Sequence, residues 1–251
     1  MSGHSKWNNI QHRKGAQDKK RASLFTKFGR EITVAAKEGG GDPNFNPRLR
    51  LAIDKAKAGN MPKDALERAI KKGTGDLEGV DYTELRYEGY GPAGTAFIVE
   101  ALTDNKDRTA SDVRMVFTRR GGNLGTDGAV AWMFKKQGMI SVRSDGIDPD
   151  EFMMAALEAG AEDVSEDDGY FEIVTDYTVL QDVLDKLTAA GYKHENAEIS
   201  MNAENKVPIS DLNTARSVMG LYDALDDLDD VQNVYSNFDI PDDIMDQLDE
   251  E

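Results

Sequence analysis

Lys6, Trp7, Arg13, Lys14, Lys19, Lys20 and Arg21 crowd the first 22 residues, and Lys27 and Arg30 follow shortly after. Clustered ammonium and guanidinium groups neutralise phosphates and release condensed counterions, so the chemistry they offer is salt-sensitive binding to a polyanion. Trp7, beside Lys6, either stacks on an exposed base or packs on the helices that follow. Arg48 and Arg50 extend the basic set. A second basic stretch covers 106–136, where Arg108, Arg114, Arg119 and Arg120 with three lysines outweigh three aspartates for a net of +4. It either continues the binding track or forms salt bridges with an acidic body.

The wider charge pattern separates those uses from simple solvation. Residues 1–74 carry 17 Lys and Arg against 7 Asp and Glu, whereas the whole chain has a net charge of −17. An even mixture of signs would solvate a helical surface; this segregation presents one end of the chain to a polyanion.

Other chemistry has little material. There is no cysteine, which excludes thiolate nucleophiles, disulfides and thiolate-bound zinc. The three histidines are His4, His12 and His194, and the first two sit in the basic tail, without the fixed geometry that acid–base catalysis needs. Gly121 to Gly128 lacks the Gly-Lys-Ser/Thr ending of a phosphate-binding loop, and it follows a helix and precedes a strand, the reverse of the dinucleotide-binding order. A turn is the reading it supports. The aspartates near the C-terminus have no calcium-loop spacing and read as an acidic tail over 241–251, suited to solubilising the chain, repelling nucleic acid or meeting a basic protein. The expectation is a chain without catalytic residues, metal or cofactor.

The elements that must position the basic groups follow from periodicity. Residues 1–22 read as a flexible basic tail without amphipathic period. Leu24, Phe28, Ile32 and Ala35 recur at helical spacing, and Gly39-Gly40-Gly41 ends that helix. Asn46-Pro47 opens a second helix, with Leu49, Ala52, Ile53 and Ala56 as its apolar stripe, and Gly59 closes it. A third begins near Pro62, runs through Leu66, Ala69 and Ile70, and stops at Gly73. These make a helical domain over 23–75. The short turn between the second and third helices suits a tight hairpin better than a helix-turn-helix, because Asp64 occupies the place of a base-reading residue.

After a linker the texture becomes strands. Thr83 to Tyr90 and Thr95 to Leu102 flank Gly91-Pro92-Ala93-Gly94 as a hairpin, a helix capped by Thr109 follows, and Ala129 to Phe134 reads as a strand. Residues 138–203 alternate as β-α-β-β-α-β, the order of a ferredoxin-like sandwich, which implies no chemistry by itself. The segment 82–136 lacks a second helix, and 209–240, with a helix and a strand, supplies one. The expected class is therefore α+β with three domains: a three-helix domain and two α/β ferredoxin-like sandwiches, the last (138–203) inserted in the second (82–136 with 209–240). No apolar run is long enough to span a bilayer, and Met1 to Gln17 has no apolar signal-peptide core, so a cytoplasmic protein without membrane contact is expected.

Several motifs occur in order along nearly the whole chain: Gly3-His4-Ser5-Lys6-Trp7, His12-Arg13-Lys14, Phe25-Thr26-Lys27, Gly39-Gly40-Gly41-Asp42-Pro43, Asn46-Pro47-Arg48-Leu49-Arg50, and Tyr87-Glu88-Gly89-Tyr90-Gly91-Pro92. Together they resemble the YebC/PmpR family. The resemblance implies three domains and a cytoplasmic, non-enzymatic protein. Members of that family are commonly described as DNA-binding transcriptional regulators, while relatives that include a mitochondrial translational activator of a cytochrome oxidase subunit act on translation, some by relieving ribosomes stalled on proline-rich sequences. The expected partner is thus nucleic acid, either DNA or ribosomal RNA, with the ribosome as the corresponding assembly. No zipper or palindrome-matching dimer signal is visible, and a monomer is expected. An adaptor that uses the acidic face is the remaining alternative.

Overall fold

The computed structural model describes residues 18–167 and 169–249. Lys6, Trp7, Arg13 and Lys14 lie outside the described residues.

Helices α1 (Asp18–Gly39), α2 (Pro47–Ala58) and α3 (Lys63–Thr74) form the first domain. Residues 18–22, expected to belong to the flexible tail, are the first turns of α1. A helix nucleated by its packed stripe extends at little cost per residue, so the end of the apolar period underestimates its length. Phe28, Ile32 and Ala35 from α1 meet Leu49, Ile53 and Ala56 from α2 and Leu66 and Ala69 from α3. Leu24, counted on the same stripe, is exposed.

Asn46 joins two helices. Its side-chain oxygen accepts from the Leu49 amide at 3.1 Å, capping α2. Its side-chain nitrogen donates to the carbonyls of Ala35 at 2.7 Å and Gly40 at 2.8 Å, closing the end of α1. Gly73 does not end α3. It lies where α3 crosses α1, and a Cβ there would sit 2.6 Å from the Ala36 Cβ. The stop is Gly75, in the left-handed region at φ 85°.

The second domain has a four-stranded sheet, ordered β3-β1-β2-β9. Strands β1 (Thr83–Tyr90) and β2 (Ala96–Thr103) form the central antiparallel hairpin, with Thr83 opposite Thr103 and Tyr90 opposite Ala96. Strand β3 (Asn123–Leu124) pairs with β1, and β9 (Val231–Ser236) pairs with β2. Helices α4 (Lys106–Arg119) and α7 (Leu212–Asp226) pack on each other and on this sheet. The cap of α4 is Asn105, whose side chain accepts from the Arg108 amide at 3.0 Å. Thr109 is instead buried in the first turn.

Residues 129–133, expected as a strand, include a short 3-10 turn at Ala131–Met133. The cause is Glu88. Its buried carboxylate accepts from the amides of Gly128 at 3.0 Å, Val130 at 2.9 Å and Ala131 at 2.8 Å, removing the donors a strand would use.

Residues 136–201 form a compact unit of their own. Strands β4 (Phe134–Arg143), β5 (Asp163–Asp167), β6 (Tyr170–Asp176) and β7 (His194–Ala203) order as β5-β6-β4-β7, with helices α5 (Pro149–Ala159) and α6 (Leu180–Ala189). This is the ferredoxin-like arrangement. Its core includes Phe152 stacked on Phe171 with ring centres 4.2 Å apart.

The chain then adds a short parallel pair, β8 (Val207–Pro208) with β10 (Phe238–Asp239), and helix α8 (Asp242–Asp249). The expected acidic tail is therefore helical through Asp249. Ile244 and Met245 are buried, and α8 packs on α7, so two apolar residues among the aspartates suffice to dock it.

Candidate nucleic-acid interface

The structure divides the expected basic residues into those the fold consumes and those it leaves outside. Lys19, Lys20 and Arg21 have their backbone in the first turns of α1. Lys27 is buried; its ammonium donates to the Asp226 carbonyl at 2.5 Å and faces the Asp226 carboxylate at 3.4 Å. Arg30 donates to the carbonyls of Asp229 at 2.5 Å and Leu102 at 3.3 Å, and to the Asp230 carboxylate at 2.8 Å.

Asp230 is the centre of this contact. Its carboxylate also accepts from Arg108 at 2.8 Å and from the Thr109 hydroxyl at 2.7 Å. Burial alone would raise its pKa, but Arg108, Thr109 and Arg30 outweigh burial and hold the carboxyl below the ordinary aspartate value. The bonds to Asp230 and Asp104 in turn raise the pKa of Arg108.

Arg48 meets three carboxylates: Glu31 at 2.8 Å, Glu38 at 2.6 Å and Glu84 at 2.5 Å. Arg50 donates to the carbonyls of Pro43 at 3.0 Å and Asn44 at 3.1 Å and braces the loop before α2. Lys27, Arg30, Arg48, Arg50 and Arg108 are thus structural cations. Carboxylates distant in sequence meet four of them, Glu84 at Arg48 and Asp226 or Asp230 at Lys27, Arg30 and Arg108, and backbone carbonyls meet Arg50.

Arg114, Arg119 and Arg120 differ. They are exposed on the last two turns of α4 and just beyond, and among the described residues no carboxylate pairs with them. Lys71 and Lys72, which the sequence did not single out, are similarly exposed at the end of α3. Helix α3 does not present a reading edge: Asp64 pairs with Arg68 at 3.0 Å and Lys63 with Glu67 at 3.8 Å, both on its own surface. The glycine-rich loop is not a phosphate cradle either. Its amides at Gly122, Gly125 and Gly128 are taken by Phe117, the Glu88 carbonyl and the Glu88 carboxylate.

The role of Asp230 was not legible in the sequence, where it is one aspartate among several in a row. Only its position before β9, opposite the buried end of β2, distinguishes it. Among the described residues no helix is long and apolar enough to cross a membrane.

Comparison with known proteins agrees with this architecture. Residues 5–76 match the family described as the TACO1/YebC protein N-terminal domain, and residues 82–238 match the TACO1/YebC second and third domain. The chain is 79% identical over 249 residues to a "probable transcriptional regulatory protein" of Fusobacterium nucleatum, covering 99% of this chain and 100% of that one. It is 53% identical over 253 residues to a protein of the same description from Halothermothrix orenii, covering 100% of both. The crystal structure of a conserved hypothetical protein from Aquifex aeolicus, at 47% identity, superimposes with a TM-score of 0.81 and covers 90% of this chain and 93% of that one. With both family regions matched in order across the three domains, the chain belongs to the TACO1/YebC family.

Proposed function

We propose that this protein is a non-enzymatic, nucleic-acid-binding regulator of gene expression. The observation that carries the reading is that Arg114, Arg119 and Arg120 are each exposed, without carboxylate partners among the described residues, on a chain with a net charge of −17. In so acidic a chain a cation near a carboxylate is the default. Three guanidinium groups kept clear of one suit phosphate contacts. The shifted carboxyls, Glu88, Asp211 and Asp230, all move downward as acceptors in structural contacts, whereas a general acid needs a raised value.

The names of the relatives point to transcription. A second reading, action at the ribosome, is supported by α3, whose leading residues pair with one another instead of offering a base-reading edge. Lys19, Lys20 and Arg21 with the first 17 residues would add to the phosphate contacts under either reading.

The test measures binding of the full chain to duplex promoter DNA and to ribosomes at physiological salt, beside a chain starting at Asp18 and an Arg114→Glu/Arg119→Glu/Arg120→Glu variant. Loss of three phosphate contacts should flatten the dependence of log affinity on log salt by about 2–3 units. Retention on neither polyanion refutes the proposal; retention on ribosomes alone selects the second reading.

A further inference from the structure

One face of α1 carries a basic row. Lys27, Arg30, Val34 and Lys37 follow one another at spacings of three, four and three, which lines them up along the helix. Lys20, seven residues before Lys27, prolongs the row toward the start of the chain. From Lys27 to Lys37 it spans about 15 Å at the helical rise. Val34 is buried but is not a member of the core that α1 shares with α2 and α3, so this face points away from that core.

Three cations of the row meet carboxylates from beyond the three helices. Lys27 faces Asp226 at 3.4 Å, Arg30 faces Asp230 at 2.8 Å, and Lys37 faces Asp81 at 2.6 Å. The carbonyls of Asp226 and Asp229 accept from Lys27 and Arg30 as well. Asp226 is the last residue of α7, so Lys27 also meets the negative end of that helix dipole. Asp227 and Asp229 stand beside the contact and, with Arg30, Arg108 and Asp230, line a cleft of about 520 Å³ that brings solvent to its edge.

The way the helices are attached lets this contact open. Every residue from Gly75 to Asp81 is exposed, so the tether to β1 is unpacked. Among the described residues the helical core draws only on the first domain, and the three helices keep it when they move. Two of the cross-domain pairs, Lys37 with Asp81 and Arg48 with Glu84, are substantially exposed and are screened by salt.

We propose that the contact is autoinhibitory. Asp226 and Asp230 occupy on α1 the places that phosphates take when nucleic acid binds, and binding swings the helical domain off the second. Guanidinium and ammonium groups accept carboxylate and phosphate alike, and a row of cations along one helix face suits a phosphate backbone. Affinity is then reduced by the fraction of chains that are open. The inference rests on the nucleic-acid reading proposed above and adds its regulation.

The chain has no cysteine, so a Lys57→Cys/Ser217→Cys chain takes one dye on each domain, both at exposed positions. Energy transfer between them should fall as salt rises from about 0.1 M to about 1 M, where the screening length shrinks from about 10 to about 3 Å. It should fall equally when a single-stranded RNA or a DNA duplex binds at the lower salt. In the same background Asp226→Asn/Asp230→Asn should be open without ligand and bind about 5- to 30-fold more tightly. Lys27→Met/Arg30→Met should be just as open and bind no more tightly than the parent, because it has lost the cations that opening exposes. Asp227→Asn/Asp229→Asn makes the same change of net charge beside the contact and should stay closed with parental affinity. A gain shared by both aspartate variants would be a charge effect and would overturn the proposal. Transfer unmoved in a parent chain that has bound nucleic acid overturns it too, even where Asp226→Asn/Asp230→Asn fails to fold, and leaves the nucleic-acid reading standing. Absence of binding by the parent and by every variant overturns both.

Discussion

Replacing Asp230 by alanine isolates the contact that joins the helical domain to the sheet of the second domain. Asp230 and Arg30 are largely buried, with 8% and 14% of their side chains exposed, and their charged atoms lie 2.8 Å apart. Truncation leaves the Arg30 guanidinium buried with only neutral partners, the carbonyls of Leu102 and Asp229, and its Nε already lacks an acceptor. Removing one member of a buried pair typically costs about 3–5 kcal/mol. The retained carbonyls and the half-exposed Arg108 place this case at the low end, about 3 kcal/mol. For a chain of this size that lowers the melting midpoint by about 6–12 °C. The assay is thermal unfolding followed by circular dichroism, with Arg30→Met and the double variant completing a cycle. The double variant should be less destabilised than the sum of the singles, because it no longer buries an unmatched charge. A loss under about 1 kcal/mol for Asp230→Ala would show that solvent screens the contact, and would refute its assigned role.

Two further outcomes follow from close packing and from proton linkage. Gly73→Ala, which in an open helix would gain about 1 kcal/mol, should instead destabilise by about 1–3 kcal/mol, since the new methyl meets Ala36 and the Lys37 amide at 2.6 and 3.1 Å; a raised denaturant midpoint would contradict the crossing of α1 and α3. For Glu88, burial alone would raise the pKa, but the three amides and Arg86 prevail and hold it below its ordinary value. The unfolded chain therefore takes up the proton first as pH falls, so the stabilisation is complete above about pH 4.5 and is lost as pH drops through the lower folded value. Hydrogen-exchange protection at Gly128, Val130 and Ala131 should decline across that window, and Glu88→Gln should lower it already at neutral pH; unchanged protection in both would rule out the carboxylate as the anchor of the turn.

Much of this architecture was present in local patterns. The Asn46-Pro47 start of α2, the β1–β2 hairpin and the β-α-β-β-α-β order within 138–203 were all visible in local sequence, because caps, turn residues and apolar periods act within a few positions. The polyanionic partner proposed above was likewise read from charge segregation, which needs no fold to be seen. Tertiary structure decided what local patterns could not. It turned 129–133 from a strand into a pinned turn, because Glu88 lies about 40 positions away in the chain and reaches it only through the sheet. It docked 242–249 as a helix, because Ile244 and Met245 are buried and that helix packs on α7. And it sorted cations of identical residue type into two classes. Arg30, Arg48 and Arg108 became internal fastenings, while Arg114, Arg119 and Arg120 stayed outside, because the carboxylates that meet a guanidinium are chosen by folding and not by their place in the sequence.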